Sequence, residues 1–262
     1  MTHTPARKGA TRLRDISPSL LQTLNAGQVP SATLVEALAI DHAVLARHAL
    51  PDLSPHSLTA ALKAQQLGIL QRMKQMANVL LAQYGQGITA YLQTHVSDTV
   101  RGWACFIIAE LPALSLRERL DKIAPLANDE HFGVREWSWL ALRPYVVAAP
   151  SLAVEQLRDW SLSPSERLRR FSCEILRPRG VWCPHIADFK INPAAALPIL
   201  EALRNDSSIY VQDSVANWLN DAAKSQPEWV RALCQSWAQE TVPEHARAAL
   251  RVLQRAQRKL VH

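Results

Sequence analysis

The residues best able to do chemistry lie in one stretch, Arg-Arg-Phe-Ser-Cys-Glu-Ile-Leu-Arg-Pro-Arg-Gly-Val-Trp, which runs from Arg169 to Trp182. Glu174 is flanked there by Arg169, Arg170, Arg177 and Arg179. A carboxylate among so many cations stays ionised at neutral pH. Three more acids sit in comparable settings: Glu136 directly after Arg135, and Asp213 and Asp221 further on. Trp137, Trp139, Trp182 and Trp218 are interleaved with them. The chemistry on offer is electrostatic, with fixed negative charge beside indole faces that attract cations. A plainer reading stands next to it. Glu174 is spaced for an ordinary helical ion pair with Arg170 or Arg177, and on spacing alone that reading leads.

These residues need helices to position them, and the composition supplies helices. Ala and Leu dominate, Gly is scarce at 8 residues, and there are only four Phe and four Tyr. That mixture favours helix over sheet. The eight tryptophans are the exception, and their N–H groups want partners, so some are expected to face a groove. Hydrophobic residues make up 48% of the 262, enough for a sizeable core.

A repeat organises the chain. Four segments, 97–111, 129–144, 163–178 and 206–221, each open on Asp or Ser and continue as an amphipathic helix. The opening residue is expected to cap the first helical turn. The pairs Val100-Arg101, Val134-Arg135 and Leu168-Arg169 recur every 34 residues. Val211-Gln212 follows 43 residues later and Ala246-Arg247 another 35. Such a period marks stacked helical hairpins. The extra residues before Val211 contain the Pro-rich run 177–193, an insertion expected on one face. Stacking would set the repeat arginines in a row along a concave surface. The last helix adds Arg247, Arg251 and Arg255 at four-residue spacing, with Arg258 and Lys259 beyond. A solubilising outer face explains that stripe as well as a phosphate-binding one does. The first 90 residues read as a basic tail and a helical cap, with helices expected over Ser31–His48 and from Ser57 to Gln83. Arg7, Lys8, Arg12 and Arg14 of the tail are either solvated or in contact with phosphates.

Bulk properties narrow the classes. A net charge of +6 suits a polyanionic partner. No apolar run reaches membrane-spanning length, and the N-terminus lacks a signal core. Four cysteines without a CxxC pair fit a reduced cytoplasmic protein. Cys183 and His185 have no second pair at zinc spacing, so no metal is expected.

The segments Asp129–Pro144, Arg169–Trp182 and Asp206–Asp221, in this order and spacing, resemble the AlkC branch of the AlkC/AlkD DNA alkylation repair glycosylases. The likeness extends over roughly Asp129 to Trp237. It implies an all-α, HEAT-like helical-repeat solenoid, an α-α superhelix whose concave face holds duplex DNA. Residues 1–90 would be tail and cap, and residues 91–262 the repeats, in one continuous domain. It implies excision of cationic N3- or N7-alkylated bases without any cofactor. Position by position, Glu174, Glu136 and Asp221 match family acids, Trp182 an aromatic residue at the lesion, and Arg170 a basic neighbour. Trp139, Arg135, Arg169, Arg177, Arg179, Arg247 and Arg251 complete the expected DNA contacts. The expected setting is a monomer without an obligate protein partner, on nucleoid DNA in a bacterial cytoplasm. The family run Arg-Pro-Arg-Leu-Pro-Trp reads Arg-Pro-Arg-Gly-Val-Trp here, and Gly180 offers backbone angles that Leu does not. Gln212 replaces one repeat Arg, so one phosphate contact is expected to be lost. No β-rich segment supplies the immunoglobulin-like domain of some members. Two other readings stay open: a non-catalytic protein for damaged or branched DNA, and a protein-interaction scaffold.

Overall fold

The computed structural model describes residues 7–258. Among these residues sixteen α-helices follow one another without a strand. They are α1 (Pro18–Asn25), α2 (Leu34–Ala39), α3 (His42–Ala49), α4 (Pro55–Ala64), α5 (Ile69–Tyr84), α6 (Ile88–Gln93), α7 (Asp98–Glu110), α8 (Leu116–Ala127), α9 (Phe132–Ala148), α10 (Pro150–Ser161), α11 (Glu166–Glu174), α12 (Ala187–Ile191), α13 (Leu197–Leu203), α14 (Ile209–Ala223), α15 (Pro227–Glu240) and α16 (Ala246–Ala256). None is long and apolar enough to cross a membrane. Two compact units divide the chain. One runs to Leu114 and adds Glu130–Ala141, and the other holds Ser115–Asp129 and everything from Leu142.

In the first unit the helices are shorter than the periodicity suggests. The helix expected over Ser31–His48 breaks at Ile40-Asp41, because the Asp41 carboxylate accepts from the amides of Ala43 and Val44 and starts α3 afresh. The helix expected from Ser57 breaks before Gly68, whose extended ψ of 153° begins α5. Glycine is a weak helix former, and the Gln65 side chain just before it is committed to the His42 amide. The tail is not free at Arg7. Its guanidinium forms two hydrogen bonds to Glu36, of 2.7 and 2.6 Å, and Glu36 also accepts from the amides of Ala10 and Ala32. That arrangement corrects the phosphate-contact expectation for Arg7. Lys8, Arg12 and Arg14 are exposed.

The repeat has a register that explains its period. Arg101, Arg135, Arg169 and Gln212 are each the fourth residue of α7, α9, α11 and α14. Each reaches back to the turn before its own helix. Arg101 donates to the carbonyls of His95 and Val96, Arg135 to Glu130, Arg169 to Ser163 and Pro164, and Gln212 to Asp206. A cation near a helix N-terminus opposes the helix dipole. The gain must therefore come from satisfying turn carbonyls that would otherwise be unpaired. Gln212 thus keeps the role of the Arg that it replaces. Arg247 falls out of this register, as the second residue of α16.

Two of the opening residues accept amides as expected, Ser163 from Ser165 and Asp206 from Ser208, both just ahead of their helices. Asp98 turns to the amide and hydroxyl of Ser31, and His131 accepts from the Gly133 amide at the start of α9. In the second unit α11 packs on α14 and α14 on α16, while α10 packs on both α11 and α13.

The first unit's core encloses His42, which is fully buried and accepts from Trp103 Nε1 through Nδ1 at 3.3 Å. Burial, aided by the charge of Arg72, pushes its pKa down to about 3 from an ordinary 6.5. The unfolded chain therefore binds a proton that the folded chain refuses. Stability from this group is complete above pH 6.5 and is lost as pH falls toward about 3. Glu36, held at about 2 chiefly by its bonds to Arg7, adds a separate loss only below 4.5. We expect urea midpoints to fall steadily from pH 6.5 downward, and His42→Gln to flatten that slope above 4.5. A variant whose curve runs parallel to wild type would assign the loss to another group.

Candidate functional site, a pair of carboxylates bridged by arginine

The second unit gathers its charged residues where α11 ends. Ser165 begins α11 by accepting from the Arg167 amide, and Glu174 is the last helical residue. Pro178 follows soon after and cannot continue a helix. Across from it, α14 presents Ser214, Trp218 and Asp221 at spacings of four and three, which place all three on one helical face. Ser214 Oγ donates to Glu174 Oε2 at 2.7 Å, and Trp218 Nε1 donates to the Leu176 carbonyl at 2.9 Å.

Arg177 joins the two acids. Its Nη1 lies 2.8 Å from Glu174 Oε1, while Nε and Nη2 meet Asp221 Oδ2 at 2.9 and 2.8 Å. Lys224 Nζ takes Asp221 Oδ1 at 2.9 Å, and Arg170 lies 3.5 Å from Glu174 Oε2. Glu174 is only 4% exposed. Burial acts to raise its pKa, but Arg170, Arg177 and the Ser214 hydroxyl outweigh it and hold the carboxyl below its usual range. For Arg177, burial works against the charge and the two carboxylates more than restore it. The ion-pair reading of Glu174 therefore describes its geometry, and a permanently ionised carboxylate is the consequence.

A second cation, Arg143 on α9, is completely buried. It donates to the carbonyls of Ile175, Arg177 and Pro184 at 2.5, 2.5 and 3.1 Å. With Trp218 on Leu176, three successive carbonyls past the end of α11 are satisfied from outside the helix. Between Pro178 and Ile186, whose amide returns to the Pro178 carbonyl, the chain makes a loop with an exposed tip. Val181 is 62% exposed there and Trp182 49%. Trp182 has φ +64°. For a bulky side chain that left-handed conformation costs about 1–3 kcal/mol. Gly180 does not supply the unusual angle, contrary to the sequence reading. Its contribution is room, because a Cβ there would come within 2.1 Å of Cys183 Sγ.

The other expected contacts are distributed. In the first unit, Glu136 accepts from Trp139 Nε1 at 2.7 Å within α9, and Trp139 is 5% exposed. Arg135 holds its own turn, as above. In the second unit Arg169 makes a two-bond clasp on Asp206 at 2.6 and 3.0 Å, and Arg179 donates to Ser225 Oγ. Arg251 and Arg255 share Asp213, so the stripe on α16 is partly neutralised by α14. Arg247 and Arg251 line an open cleft of about 570 Å³ with Asn205, Gln212 and His245. Arg258 is exposed just after α16, and Lys259 lies outside the described residues. No group of three or more metal-ligating side chains occurs among the described residues. Of the eight tryptophans, Trp103, Trp137, Trp139, Trp218 and Trp237 are buried, and Trp182 is the exposed one. Sequence reasoning missed Ser214 and Arg143. Ser214 carried a usable signal, since it lies two helical turns before Asp221, but Arg143 has only distant partners.

Removing the bridge should leave two buried acids short of a counter-charge. We expect Arg177→Met to destabilise the protein by about 3–5 kcal/mol in urea denaturation. Adding Glu174→Gln should recover part of that loss, because the charge to be compensated is gone. Strict additivity of the two substitutions would mean that the bridge couples nothing.

Residues 67–253, well over half of the chain, match the family model described as DNA alkylation repair enzyme. The protein YhaZ of Bacillus subtilis, uncharacterized, is 39% identical over 108 residues, which are 41% of this chain and 30% of that one. Among solved structures, the alkylpurine DNA glycosylase AlkC of Pseudomonas fluorescens, bound to DNA containing an abasic site analog, matches with a TM-score of 0.63 at 22% identity. The match covers 97% of this chain and 66% of that one, so the chain spans a little under two thirds of AlkC. AlkD2 from Streptococcus mutans matches with a TM-score of 0.60, also at 22% identity, over 78% of this chain and 97% of its own. These two likenesses show the fold, a HEAT-like array of helical repeats. With the family model spanning so much of its length, the chain belongs to the DNA alkylation repair enzyme family.

Proposed function

We propose that this protein is a DNA glycosylase that releases cationic N3- or N7-alkylated bases from duplex DNA. The observation that carries this reading is Glu174, a carboxylate held ionised and oriented by Arg177, Ser214 and Arg170. Alkylation leaves the base positively charged, so it departs without protonation. What needs stabilising is the oxocarbenium-like sugar, as in other glycosyl transfers. A preorganised carboxylate beside C1′ does this electrostatically, and it can orient the attacking water. Asp221, tied to the same Arg177, and Glu136 of the first unit are the further acids of the proposal. Trp182 offers an exposed indole to the lesion nucleotide. Arg179, Arg247 and Arg251 are the proposed phosphate contacts, which carry the non-specific share of affinity. Duplex DNA in the cytoplasm, bound by one copy of the chain, is the setting that we infer. Family membership and the likeness to an alkylpurine glycosylase support the same reading.

One observation favours a second reading, DNA binding without base release. Both Glu174 oxygens are already engaged, and the residue is nearly inaccessible. Base release separates the two. Duplexes carrying 3-methyladenine, 7-methylguanine or 3-methylcytosine should lose the modified base with wild-type protein. Glu174→Gln should slow release by about 100-fold or more, the scale seen when one preorganised electrostatic group is removed. Full rates in both Glu174→Gln and Glu136→Gln would sink the carboxylate mechanism. Tight binding with no release of any of the three bases would establish the second reading.

A further inference from the structure

We infer that Arg143 is a positioning residue that clamps both ends of the 175–186 loop and holds Trp182 in its left-handed conformation, aimed outward at the lesion nucleotide. The inference rests on the role proposed above for Trp182.

Two features of Arg143 call for an explanation. A completely buried guanidinium is costly unless it is paired, yet its three hydrogen bonds go to backbone carbonyls and not to a carboxylate. Those carbonyls flank the loop, with Ile175 and Arg177 at the end of α11 and Pro184 beyond the tip. Only a planar fork with several donors spans such a set, which a compact ammonium cannot do. Burial disfavours the cation and Arg177 adds to that, while Glu174 and Asp221 favour it, so its counter-charges are the acids of the proposed site.

The loop tip supplies the second half of the argument. A bulky residue at positive φ persists only where its surroundings over-determine it. Trp182 is half exposed, so its own packing cannot be the whole cause. The constraint comes from its flanks. Arg143 fixes Pro184 on one side and Arg177 on the other, the Ile186 amide closes the base on Pro178, and the Cys183 sulfur fills the space above Gly180. With both ends fixed, the tip has no slack through which Trp182 could relax to an ordinary backbone angle. The strain thus keeps a large indole at the surface in one orientation, where a slack loop would fold it down.

The test reads the indole directly. Protein labelled with fluorotryptophan gives one fluorine resonance per indole, and the Trp182 signal is the one missing from Trp182→Phe. In Arg143→Met and Arg143→Lys that signal should move toward the value of a freely exposed indole, while those of Trp103 and Trp237 hold. An unmoved Trp182 signal in folded Arg143→Met overturns the clamp. A thermal cycle decides the case in which Arg143→Met does not fold. Trp182→Gly relieves the positive φ and should raise the melting midpoint of wild type, and the gain should shrink beside Arg143→Lys. Equal gains in the two backgrounds would overturn the inference. In base-release assays Arg143→Lys should lower kcat about tenfold with little change in KM, the pattern of a misaimed group. Wild-type protein that releases no base, but whose Trp182 signal still follows Arg143, would remove the glycosylase reading and leave the clamp standing.

Discussion

The helical array depends on how the chain turns into each principal helix. Those turns carry carbonyls that need partners, and the bonds to His95, Ser163 and Asp206 are partly buried. A side chain four residues into the helix folds back to take them. Arg101 and Arg135 do this in one unit, and Arg169 and Gln212 in the other. Because the hook fixes the helix start relative to the turn, it also fixes which residues face the neighbour. Val100, Val134 and Val211, each just before a hook, are completely buried. Arg169 goes further, since the group that holds its own turn also clasps Asp206 at the start of the next repeat. Local turn geometry and repeat stacking are there set by one guanidinium.

Where α11 meets α14, the same economy yields a charged site. Two acids and three cations interlock among buried apolar side chains, and each acid is held by more than one donor. An isolated buried carboxylate would neutralise itself by taking up a proton. For Glu174 the donors outweigh burial and hold the carboxyl below its usual range, so its charge is kept and its direction is fixed. Such preorganisation is what electrostatic stabilisation of a cationic sugar requires, because no reorganisation is left to be done during reaction.

Much of this was legible in the sequence. The period, the helical class and the crowding of cations around Glu174 are local patterns, and local patterns survive without a structure. The meaning of the repeat arginine was not legible, because an Arg that holds its own turn and an Arg that waits for phosphate leave the same mark. The breaks at Asp41 and Gly68 were hidden by apolar residues that keep helical spacing across them. Arg143 was beyond reach for a different reason. It sits in the apolar run Trp-Leu-Ala-Leu-Arg-Pro, and its partners lie 32 to 41 residues away. Ser214 was nearer to being found, through its helical register with Asp221. Trp182 was singled out by its place in the resembling motif, and its backbone conformation depends on a closure that no local pattern encodes.

The space shared by Gly180 and Cys183 has a bearing on how this loop can diversify. A side chain at 180 and the sulfur at 183 compete for one volume, with only 2.1 Å between the positions that they would occupy. Neither residue is then free to drift by itself. A relative carrying Leu at the first position must have vacated the second or rerouted the tip between them. The two positions therefore change sterically as one, and the tip that carries Trp182 lies between them.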